Sequence, residues 1–435
     1  MVKVMIFSLA MLFVTQVNAK SDLTLLLGVL KENGTITEKQ YQALISVRQE
    51  SQLQTKAPIK EPVVAQAKIA VKNGLKVSSA DEAFSLHIGG RVEAHAAWYN
   101  SNDFDLADGS EMRRVRLFLK GSLYHDWRYK LDYDFVAGGT KGIKDAFLAY
   151  HLNDSTQLIA GNYKVPFSLE FQASSHANTF IERSLAFGLS PGRHLGTGIN
   201  LFKDDWSLQA GVFGNKINQS NTGQDEETLI ASRLVWVPVK DDDYFVHLGV
   251  AALRSNNGDN DILRFKSNPE SYVANTQLVD TGSIATVEDY SQLGFELAMN
   301  YERLNVQGEY IQSSVHTQQE NLDFNSWYIQ SSLFLTNDRR FYKKGKFGIV
   351  KPQSILGKNG SGAWEVAIRY SELDLSDGSI FGGIEKNMTL ALNLYATPEI
   401  RFTAEYLRVL DVINRDLLEG NVSLNSGQVR LEWVF

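Results

Sequence analysis

The sequence predicts an all-β fold: a transmembrane antiparallel β-barrel of about 16 strands, preceded by a short N-terminal helical arm. Three observations predict it. Apolar and polar residues alternate at period two from residue 76 onward, in segments of about ten residues, the strand length that a tilted membrane span needs. Tight turns and long loops alternate between these segments. The chain ends in an apolar period-two row that closes on Phe435, and barrel closure pairs such an edge strand.

The composition excludes several classes of protein. The chain has 435 residues with 43 Lys and Arg against 50 Asp and Glu, so its formal net charge is −7 and we expect no nucleic-acid partner. The absence of cysteine excludes a disulfide scaffold, thiol catalysis and a Cys-ligated metal. Eight prolines and 11% aromatic residues exclude a disordered chain.

The first 19 residues have the pattern of a secretory signal peptide. Lys3 supplies a positive start, Met5 to Val14 form an apolar run, and a small-residue exit ends at Ala19. The run is too short to cross about 30 Å of hydrocarbon as a helix, and no later window carries a helical span. We therefore expect an exported protein, which can enter a membrane only as a barrel.

The segment that follows the signal peptide has a helical rather than a period-two pattern. Apolar residues recur at three and four from Leu23 to Leu30 and again from Tyr41 to Val47, with Asn33-Gly34 between the two rows. A periplasmic coiled-coil or docking arm is the natural use of such rows, and a helical hairpin without important contacts is the alternative. The predicted division is a signal peptide at 1–19, the arm at 20–55, a linker at 56–75 and the barrel at 76–435.

Sixteen segments carry the alternation, with one apolar, aromatic face and one face that often carries full charges. A soluble sandwich would bury the apolar face, whereas a barrel turns it toward lipid, and the export signal and loop pattern favour the barrel. Sixteen strands leave an aqueous channel. The predicted strands are 84–99, 113–123, 127–136, 143–152, 156–164, 196–203, 206–214, 228–238, 243–254, 290–301, 304–315, 322–335, 362–373, 386–396, 399–410 and 425–435.

The sequence carries no recognisable catalytic motif. GxSxG, HExxH and GxxxxGK[ST] patterns do not occur, and the eight histidines form no tight metal-like cluster. An outer-membrane lipase or protease needs Ser, His and an acid grouped at one rim, and the sequence offers no such grouping. We therefore expect no enzyme activity, no metal and no cofactor.

Two segments stand out against a wall of mixed charge. No acidic residue lies between Asp338 and Glu365, yet seven Lys and Arg do, and the strand count places this long segment at the short-turn, periplasmic end. Folding of 339–351 into the lumen would explain both features, and a solvated basic loop is the alternative. The loop 165–194 is the second candidate. The predicted anion path comprises Arg114, Arg116, Lys120, Lys164, Arg183, Arg193, Arg339, Arg340, Lys343, Lys344, Lys346 and Lys351.

Short sequence blocks with a family likeness are spread in order over about 76–435. They are Arg113-Arg114-Val115-Arg116, Asp126-Trp127-Arg128-Tyr129-Lys130, Gly161-Asn162-Tyr163-Lys164-Val165-Pro166-Phe167, Glu182-Arg183, Gly196-Thr197-Gly198, Phe341-Tyr342, Ile349-Val350-Lys351-Pro352, Gly362-Ala363-Trp364-Glu365, Arg369-Tyr370 and Val434-Phe435. These blocks, and the helical arm before them, resemble the phosphate-selective porin O and P family of Gram-negative outer membranes.

The resemblance implies a trimeric, sixteen-stranded porin whose lumen-folded segments pass small anions, phosphate or polyphosphate, along Arg and Lys. It places Arg183, Lys346 and Lys351 in basic constriction blocks. Family members often have a lysine where this chain has His176, and a neutral histidine weakens an anion site. A general porin, one selective for carboxylates or sugars, or a poorly conducting structural barrel are the alternatives. The expected partners are small anions, outer-membrane lipid, further copies in a homotrimer and the barrel-assembly machinery, through Phe435.

Overall fold

A computed structural model describes residues 22–54, 67–71, 73–219, 225–241, 243–258, 261–414 and 423–435, and the predicted signal peptide lies outside them. The chain divides into two compact units, one ending at Ala65 and the other running from Gln66 to Phe435. None of the helices in the described ranges has the length and apolar character that crossing a membrane requires.

The N-terminal unit contains two helices, α1 (Asp22–Glu32) and α2 (Glu38–Gln54). The start of α2 is a capping box, because the amide of Gln40 donates to the Thr37 hydroxyl at 3.4 Å and the Thr37 amide donates to the Gln40 side chain at 2.9 Å. Lys31 pairs with Glu38 at 2.5 Å across the turn between the helices. These contacts explain why the break at Asn33-Gly34 separates two helices.

A short hairpin precedes the barrel where the sequence analysis placed the end of a linker. It consists of β1 (Lys68–Ala70) and β2 (Leu75–Ser78), which pair antiparallel. Strand β2 pairs in turn with the first barrel strand, with Leu75 opposite Ile88. The predicted linker at 56–75 is therefore too long at its C-terminal end, because residues 68–70 and Leu75 already belong to the sheet.

All sixteen predicted strands are present and form a closed antiparallel barrel, which confirms the predicted fold class. The last strand pairs with the first from Leu424 opposite Ser101 to Val434 opposite Arg91, so the wall has no free edge. The barrel strands are β3 (Ser85–Ser101), β4 (Gly109–Leu123), β5 (Trp127–Asp134), β6 (Ile143–Asn153), β7 (Thr156–Lys164), β8 (Arg193–Phe202), β9 (Trp206–Phe213), β10 (Thr228–Lys240), β11 (Tyr244–Asn256), β14 (Val287–Tyr301), β15 (Leu304–Thr317), β16 (Asn321–Phe334), β19 (Ala363–Asp377), β20 (Ile380–Tyr395), β21 (Ile400–Ile413) and β22 (Leu424–Val434), and the remaining short strands are β12 (Lys266–Ser267), β13 (Val279–Asp280), β17 (Tyr342–Lys343) and β18 (Lys346–Phe347).

The two faces of the wall differ as the period-two pattern predicts. On β19, Ile368 on the outer face is 47% exposed, whereas its neighbour Arg369 on the inner face is 1% exposed. Trp127, Tyr406 and Trp433 are likewise exposed on the outside. An apolar, aromatic outer surface around a charged interior is the arrangement of a membrane barrel and not of a soluble sandwich.

Three connecting segments fold back into the lumen. The first, here called the lumen loop, spans residues 165–192 between β7 and β8 and contains the short helix α4 (Leu169–Gln172), while α3 (Gly139–Gly142) lies between β5 and β6. The second connects β11 to β14 and carries β12 and β13. The third, between β16 and β19, carries β17 and β18, and residues 342–347 are here called the lumen hairpin.

Candidate functional site

The lumen loop is held by its backbone amides to carboxylates on the inner wall. The amides of Leu169 and Glu170, at the start of α4, donate to the two oxygens of Glu309 on β15 at 2.8 and 2.7 Å. The amide of Ile181 donates to Glu405 on β21 at 2.5 Å. A backbone amide removed from water needs such an acceptor, so these acids serve the loop and are not free lumen charges.

Wall arginines satisfy the carbonyls of the same loop. Arg401 on β21 donates to the carbonyls of Asn178 and Thr179 at 2.7 and 2.6 Å. Arg430 on β22 and Arg369 on β19 donate to later carbonyls of the loop at 3.2 and 3.1 Å. All three arginines are almost completely buried. The lumen loop therefore packs against the β19–β22 side of the barrel.

This packing leaves an open space on the opposite side of the lumen. Inner side chains of β5, β6, β7 and β9, among them Lys130, Phe147, Gln157 and Gln209, are only half-buried. They border a cavity of about 790 Å³. Ten cationic and four acidic side chains line it within the described chain: Arg113, Arg114, Arg116, Lys130, Lys144, Lys164, Arg183, Arg193, Lys344 and Lys346, against Asp132, Asp134, Asp145 and Glu182.

A β-bulge brings two consecutive arginines to the loop side of this cavity. The register of β3 and β4 shifts so that Glu93 pairs with Arg114 and Ala94 with Met112, which leaves Arg113 as the extra residue. Arg113 and Arg114 both bind Glu182, at 2.7 and 3.0 Å. Burial raises the pKa of Glu182, but these guanidinium groups outweigh that effect and lower the pKa to about 2. Glu182 is thus a permanent counter-charge at the loop.

Most other cations of the cavity also have bound partners. Arg116 pairs with Asp134 at 2.9 Å, and Arg193 pairs at 2.8 Å with Asp145, which also binds Lys130. The Lys164 ammonium donates to three carbonyls at the end of α4, of residues 171, 172 and 173, at 2.5, 3.3 and 2.7 Å. These side chains contribute charge to the cavity, but their donors are largely occupied.

Five lining cations have no carboxylate partner within the described chain: Lys144, Lys164, Arg183, Lys344 and Lys346. Arg183 donates from Nε and Nη2 to the carbonyls of Glu170 and Ala173, both at 3.2 Å, and retains further N–H donors. Burial lowers the pKa of Arg183 to about 10, so the group stays charged at neutral pH. The Lys346 side chain is exposed to the cavity. The protein around the cavity partly desolvates its ammonium group and so lowers the pKa of Lys346.

The lumen hairpin presents two of these five cations. Lys344 and Gly345 connect β17 to β18 with φ angles of 52° and 72°, the two positive values of the tight hairpin turns that match strand twist. Lys344 and Lys346 border the same cavity as Arg183. Cations from the lumen loop and from the lumen hairpin therefore meet at one space, although 161 positions separate residues 183 and 344.

Seven of the twelve predicted path residues line this cavity, and the other five do not. Arg340 is buried, binds Glu365 through both its Nε and Nη2 atoms and donates to the Ala177 carbonyl at 2.8 Å, so it is a structural tie. The other four point elsewhere: Arg339 pairs with Asp243, Lys120 lies over the Phe118 ring, Lys343 is exposed, and Lys351 lies 5.8 Å from the Phe341 ring.

His176 also has a different place from the one the sequence suggested. Its Nδ1 atom lies 2.5 Å from a carboxylate oxygen of Glu432 on β22. The neighbouring Ser175 and Ala177 line the cavity, but His176 does not. The histidine thus stabilises the contact between lumen loop and wall and does not belong to the cavity lining.

Sequence reasoning missed several residues that shape the cavity. Arg113 is absent from the predicted path, since strict alternation with Arg114 would turn it outward, and the bulge instead turns it to the inner side. Tyr272, from the segment between β11 and β14, stacks 4.0 Å from the Arg113 guanidinium. Lys144 follows the glycine-rich turn at 138–142, a segment that carried no signal for a path residue. No group of three or more His, Asp or Glu side chains in the described ranges is placed to hold a metal.

Comparison with known proteins agrees with the barrel. A family model described as phosphate-selective porin O and P matches residues 86–435. The chain belongs to this family. The porin is 25% identical over 414 residues to Porin O of Pseudomonas aeruginosa, covering 84% of this chain and 92% of that protein. It is 29% identical over 367 residues to an uncharacterized protein of Caulobacter vibrioides, covering 80% and 73%.

Solved structures share the fold of this porin at low sequence identity. OmpT of Vibrio cholerae, an outer membrane protein, superposes with a TM-score of 0.52 at 11% identity and covers 81% of this chain and 98% of its own. OmpF of Salmonella typhi gives a TM-score of 0.51 at 10% identity, with coverage of 82% and 99%. Family and fold together identify an outer-membrane porin, a channel protein.

The arginine contacts of the lumen loop predict the effect of Arg401→Gln. Two buried carbonyls would lose their charged donor, which costs about 1–3 kcal/mol. We expect the barrel to form and the lumen loop to become loose, measured as faster protease cleavage within 165–192 and a noisier open-channel current. Arg408→Gln is the matched control, because Arg408 lies exposed on the outer face of the same strand. Equal behaviour of both variants would contradict the structural role of Arg401.

Proposed function

We propose that this porin passes small anions, phosphate or polyphosphate among them, through the cavity between the lumen loop and the lumen hairpin. The observation that carries the proposal is the excess of cations around that space. In particular, Arg183 and Lys346 approach it from different segments and have no carboxylate partner within the described ranges. Family membership supports the same substrate class.

The arrangement suits conduction rather than tight binding. A unit charge 4 Å from an anion gains about 4 kcal/mol in surroundings of intermediate dielectric, before desolvation is counted. Several such contacts offset part of the hydration that an anion loses in the lumen. A conducting site must also release the ion, and weak sites that follow one another meet both requirements. Lysines on flexible stems, such as Lys344 and Lys346, provide contacts of this kind.

Charge removal inside and outside the cavity gives a direct test. We expect Lys344→Gln with Lys346→Gln to lower the anion-over-cation permeability ratio by about fivefold, the factor that about 1 kcal/mol of lost attraction produces. The measurement is the reversal potential of the reconstituted porin in a KCl gradient. Phosphate should also block the chloride current less strongly in this variant.

The matched control removes two charges from the same segment but outside the cavity. Lys343→Gln with Lys351→Gln changes the net charge equally, and neither residue lines the cavity. We expect its reversal potential to stay near that of the unchanged porin. If the two double variants shift the reversal potential equally, the segment acts only through its overall charge and the proposed path is wrong.

A second candidate is selectivity for organic carboxylates, and the aromatic residues beside the cations favour it. The Arg183 guanidinium lies 5.0 Å from the ring centroid of Phe187, and the Lys344 ammonium lies 4.7 Å from that of Phe202. Both rings line the cavity and are only half-buried. An apolar body attached to a carboxylate gains from such surfaces, whereas inorganic phosphate does not.

Block of the chloride current separates the two candidates. If inorganic anions are the substrates, phosphate should block more strongly than benzoate or acetate. If organic carboxylates are the substrates, benzoate should block more strongly than acetate, and Phe187→Ala should remove that difference without changing the phosphate block. A current that none of the three anions affects would contradict both candidates and leave a general porin.

We further propose that a signal peptide at 1–19 exports the chain, that 20–55 is a periplasmic arm, and that the barrels form a homotrimer in outer-membrane lipid. The barrel-assembly machinery would engage the strand that ends at Phe435. The helical repeat of the arm and the family likeness support the arm and the trimer. Chemical cross-linking of the mature chain with and without 20–55 tests them: trimers should form in both, with fewer in the truncated chain. Only monomers in the full mature chain would contradict the trimer.

A further inference from the structure

A buried polar network lies on the inner wall beneath the lumen hairpin. The carboxylate of Glu296 on β14 accepts hydrogen bonds from Nε and Nη2 of Arg233 on β10, at 2.7 and 2.6 Å. It also lies 3.0 Å from Nε2 of His247 on β11. Each of the three residues is at most 5% exposed. Because β10, β11 and β14 are neighbours in the sheet, three strands contribute one residue each.

Strand β11, which lies between β10 and β14, leaves room for the Glu296 carboxylate. Gly249 on β11 pairs directly with Glu296. A Cβ atom at Gly249 would lie 2.5 Å from the Glu296 carboxylate, closer than any side chain tolerates. The glycine therefore allows the carboxylate to lean across β11 toward Arg233 and His247. The network is built into the wall and does not depend on the hairpin.

Two members of the network extend beyond Glu296 to the hairpin. Arg233 donates from Nη2 to the carbonyl of Gly345 at 2.9 Å. The hydroxyl of Tyr342 lies 2.5 Å from Nδ1 of His247. Because the Glu296 carboxylate can only accept, Nε2 carries the hydrogen, and in a neutral ring this leaves Nδ1 to accept from the Tyr342 hydroxyl. One wall carboxylate thus orients two side chains that each bind the hairpin.

Apolar contacts complete the docking. The Tyr342 ring stacks on Phe245 with a centroid distance of 4.2 Å and an interplanar angle of 25°. Phe347 is buried in a cluster with Val235, Phe245 and Leu169. At the turn, a Cβ atom on Gly345 would lie 3.0 Å from the Ser207 hydroxyl, so the tip lies directly against the wall.

We infer that Arg233, His247, Glu296 and Tyr342 form an anchor that holds the lumen hairpin in the lumen and thereby positions Lys344 and Lys346 in the anion path. The inference rests on the proposed function, because it assigns the anchor an effect on selectivity. These four are positioning residues, since they act through the two lysines. None of the four lines the cavity.

The size of the hairpin explains why an anchor is needed. Strands β17 and β18 have two residues each, and an isolated two-stranded hairpin of any length is marginal in water. The hairpin belongs to a long connection between β16 and β19, which supplies no sheet partner for it. Its position in the lumen therefore depends on docking to β10, β11 and β14, and the position of the two ammonium groups depends on it in turn.

The experiment uses the mature porin with Tyr342→Ala, which removes both the hydrogen bond and the ring contact. Docking is measured with a single reporter, Lys346→Cys, because the natural chain contains no cysteine. We expect a small methanethiosulfonate reagent to modify the reporter roughly tenfold faster when Tyr342→Ala is also present, since the undocked hairpin leaves the confined lumen for open solvent. An unchanged rate would overturn the anchor.

Selectivity is the second readout, and it tests whether Tyr342 acts through the lysines. Tyr342→Ala should lower the anion-over-cation permeability ratio toward that of Lys344→Gln with Lys346→Gln. Added to that double variant, Tyr342→Ala should lower the ratio no further. An equal additional decrease would overturn the inference, because Tyr342 would then act independently of the two lysines. If the double lysine variant itself leaves the permeability ratio unchanged, the proposed function is contradicted, whereas the modification rate of the reporter still tests the anchor.

A hydroxyl-only pair of variants provides the control for folding. Tyr342→Phe removes the hydrogen bond to His247 and keeps the stacked ring, and it should change both readouts in the same direction by a smaller factor. Tyr290→Phe removes another buried tyrosine hydroxyl, which donates to Glu227 at 3.3 Å away from the hairpin. It should leave both readouts unchanged. Equal effects of the two phenylalanine variants would overturn the anchor even if Tyr342→Ala failed to fold.

Discussion

The constraint on which the rest of this structure depends is the need to satisfy the backbone of a long loop inside the barrel. Amides and carbonyls of residues 165–192 leave bulk water when the loop enters the lumen, and each unpaired group would be costly. Charged side chains of the barrel wall satisfy these groups: Glu309 and Glu405 accept hydrogen bonds from amides of the loop, and Arg401 donates to its carbonyls. Because these partners lie on β15 and β21, the loop lies against one side and leaves the other side open.

This constraint divides the lumen charges into two groups with different roles. Arginines such as Arg369, Arg401 and Arg430 bind fixed acceptors of the protein, and counting them as path residues overstates the positive charge that an ion meets. The second group borders the cavity without a carboxylate partner in the described ranges and includes Arg183 and Lys346. The wall as a whole has mixed charge for this reason, while the space that remains open has an excess of cations.

The strands could be predicted from sequence because alternation of side chains is a property of extended backbone, and it survives along all sixteen segments. The basic hairpin could also be predicted, because a long segment without acidic residues is unusual at the end of the barrel where turns are short. The hydrogen-bond partners of the charged side chains inside the lumen could not be predicted from the sequence. Arg340 binds Glu365 and the Ala177 carbonyl, and no local pattern links residues from three distant segments. Arg113 was missed for another reason: a bulge of one residue reverses the phase, and period-two reasoning assumes that no bulge is present.

The two basic residue types are divided between these roles in a way that follows from their chemistry. A guanidinium has a rigid fork of donors that matches a carboxylate or two neighbouring carbonyls, and Arg233 and Arg401 each use it to hold a lumen segment in place. An ammonium is a compact, strongly hydrated charge on a flexible stem, and four of the five lining cations without a carboxylate partner in the described ranges are lysines. Under the proposed function, an anion would meet flexible point charges that release it readily, because many of the guanidinium groups that could retain it bind the protein itself. One lumen can therefore hold its folded segments rigidly and still attract ions weakly, because arginines provide most of the rigid contacts and lysines most of the weak ones.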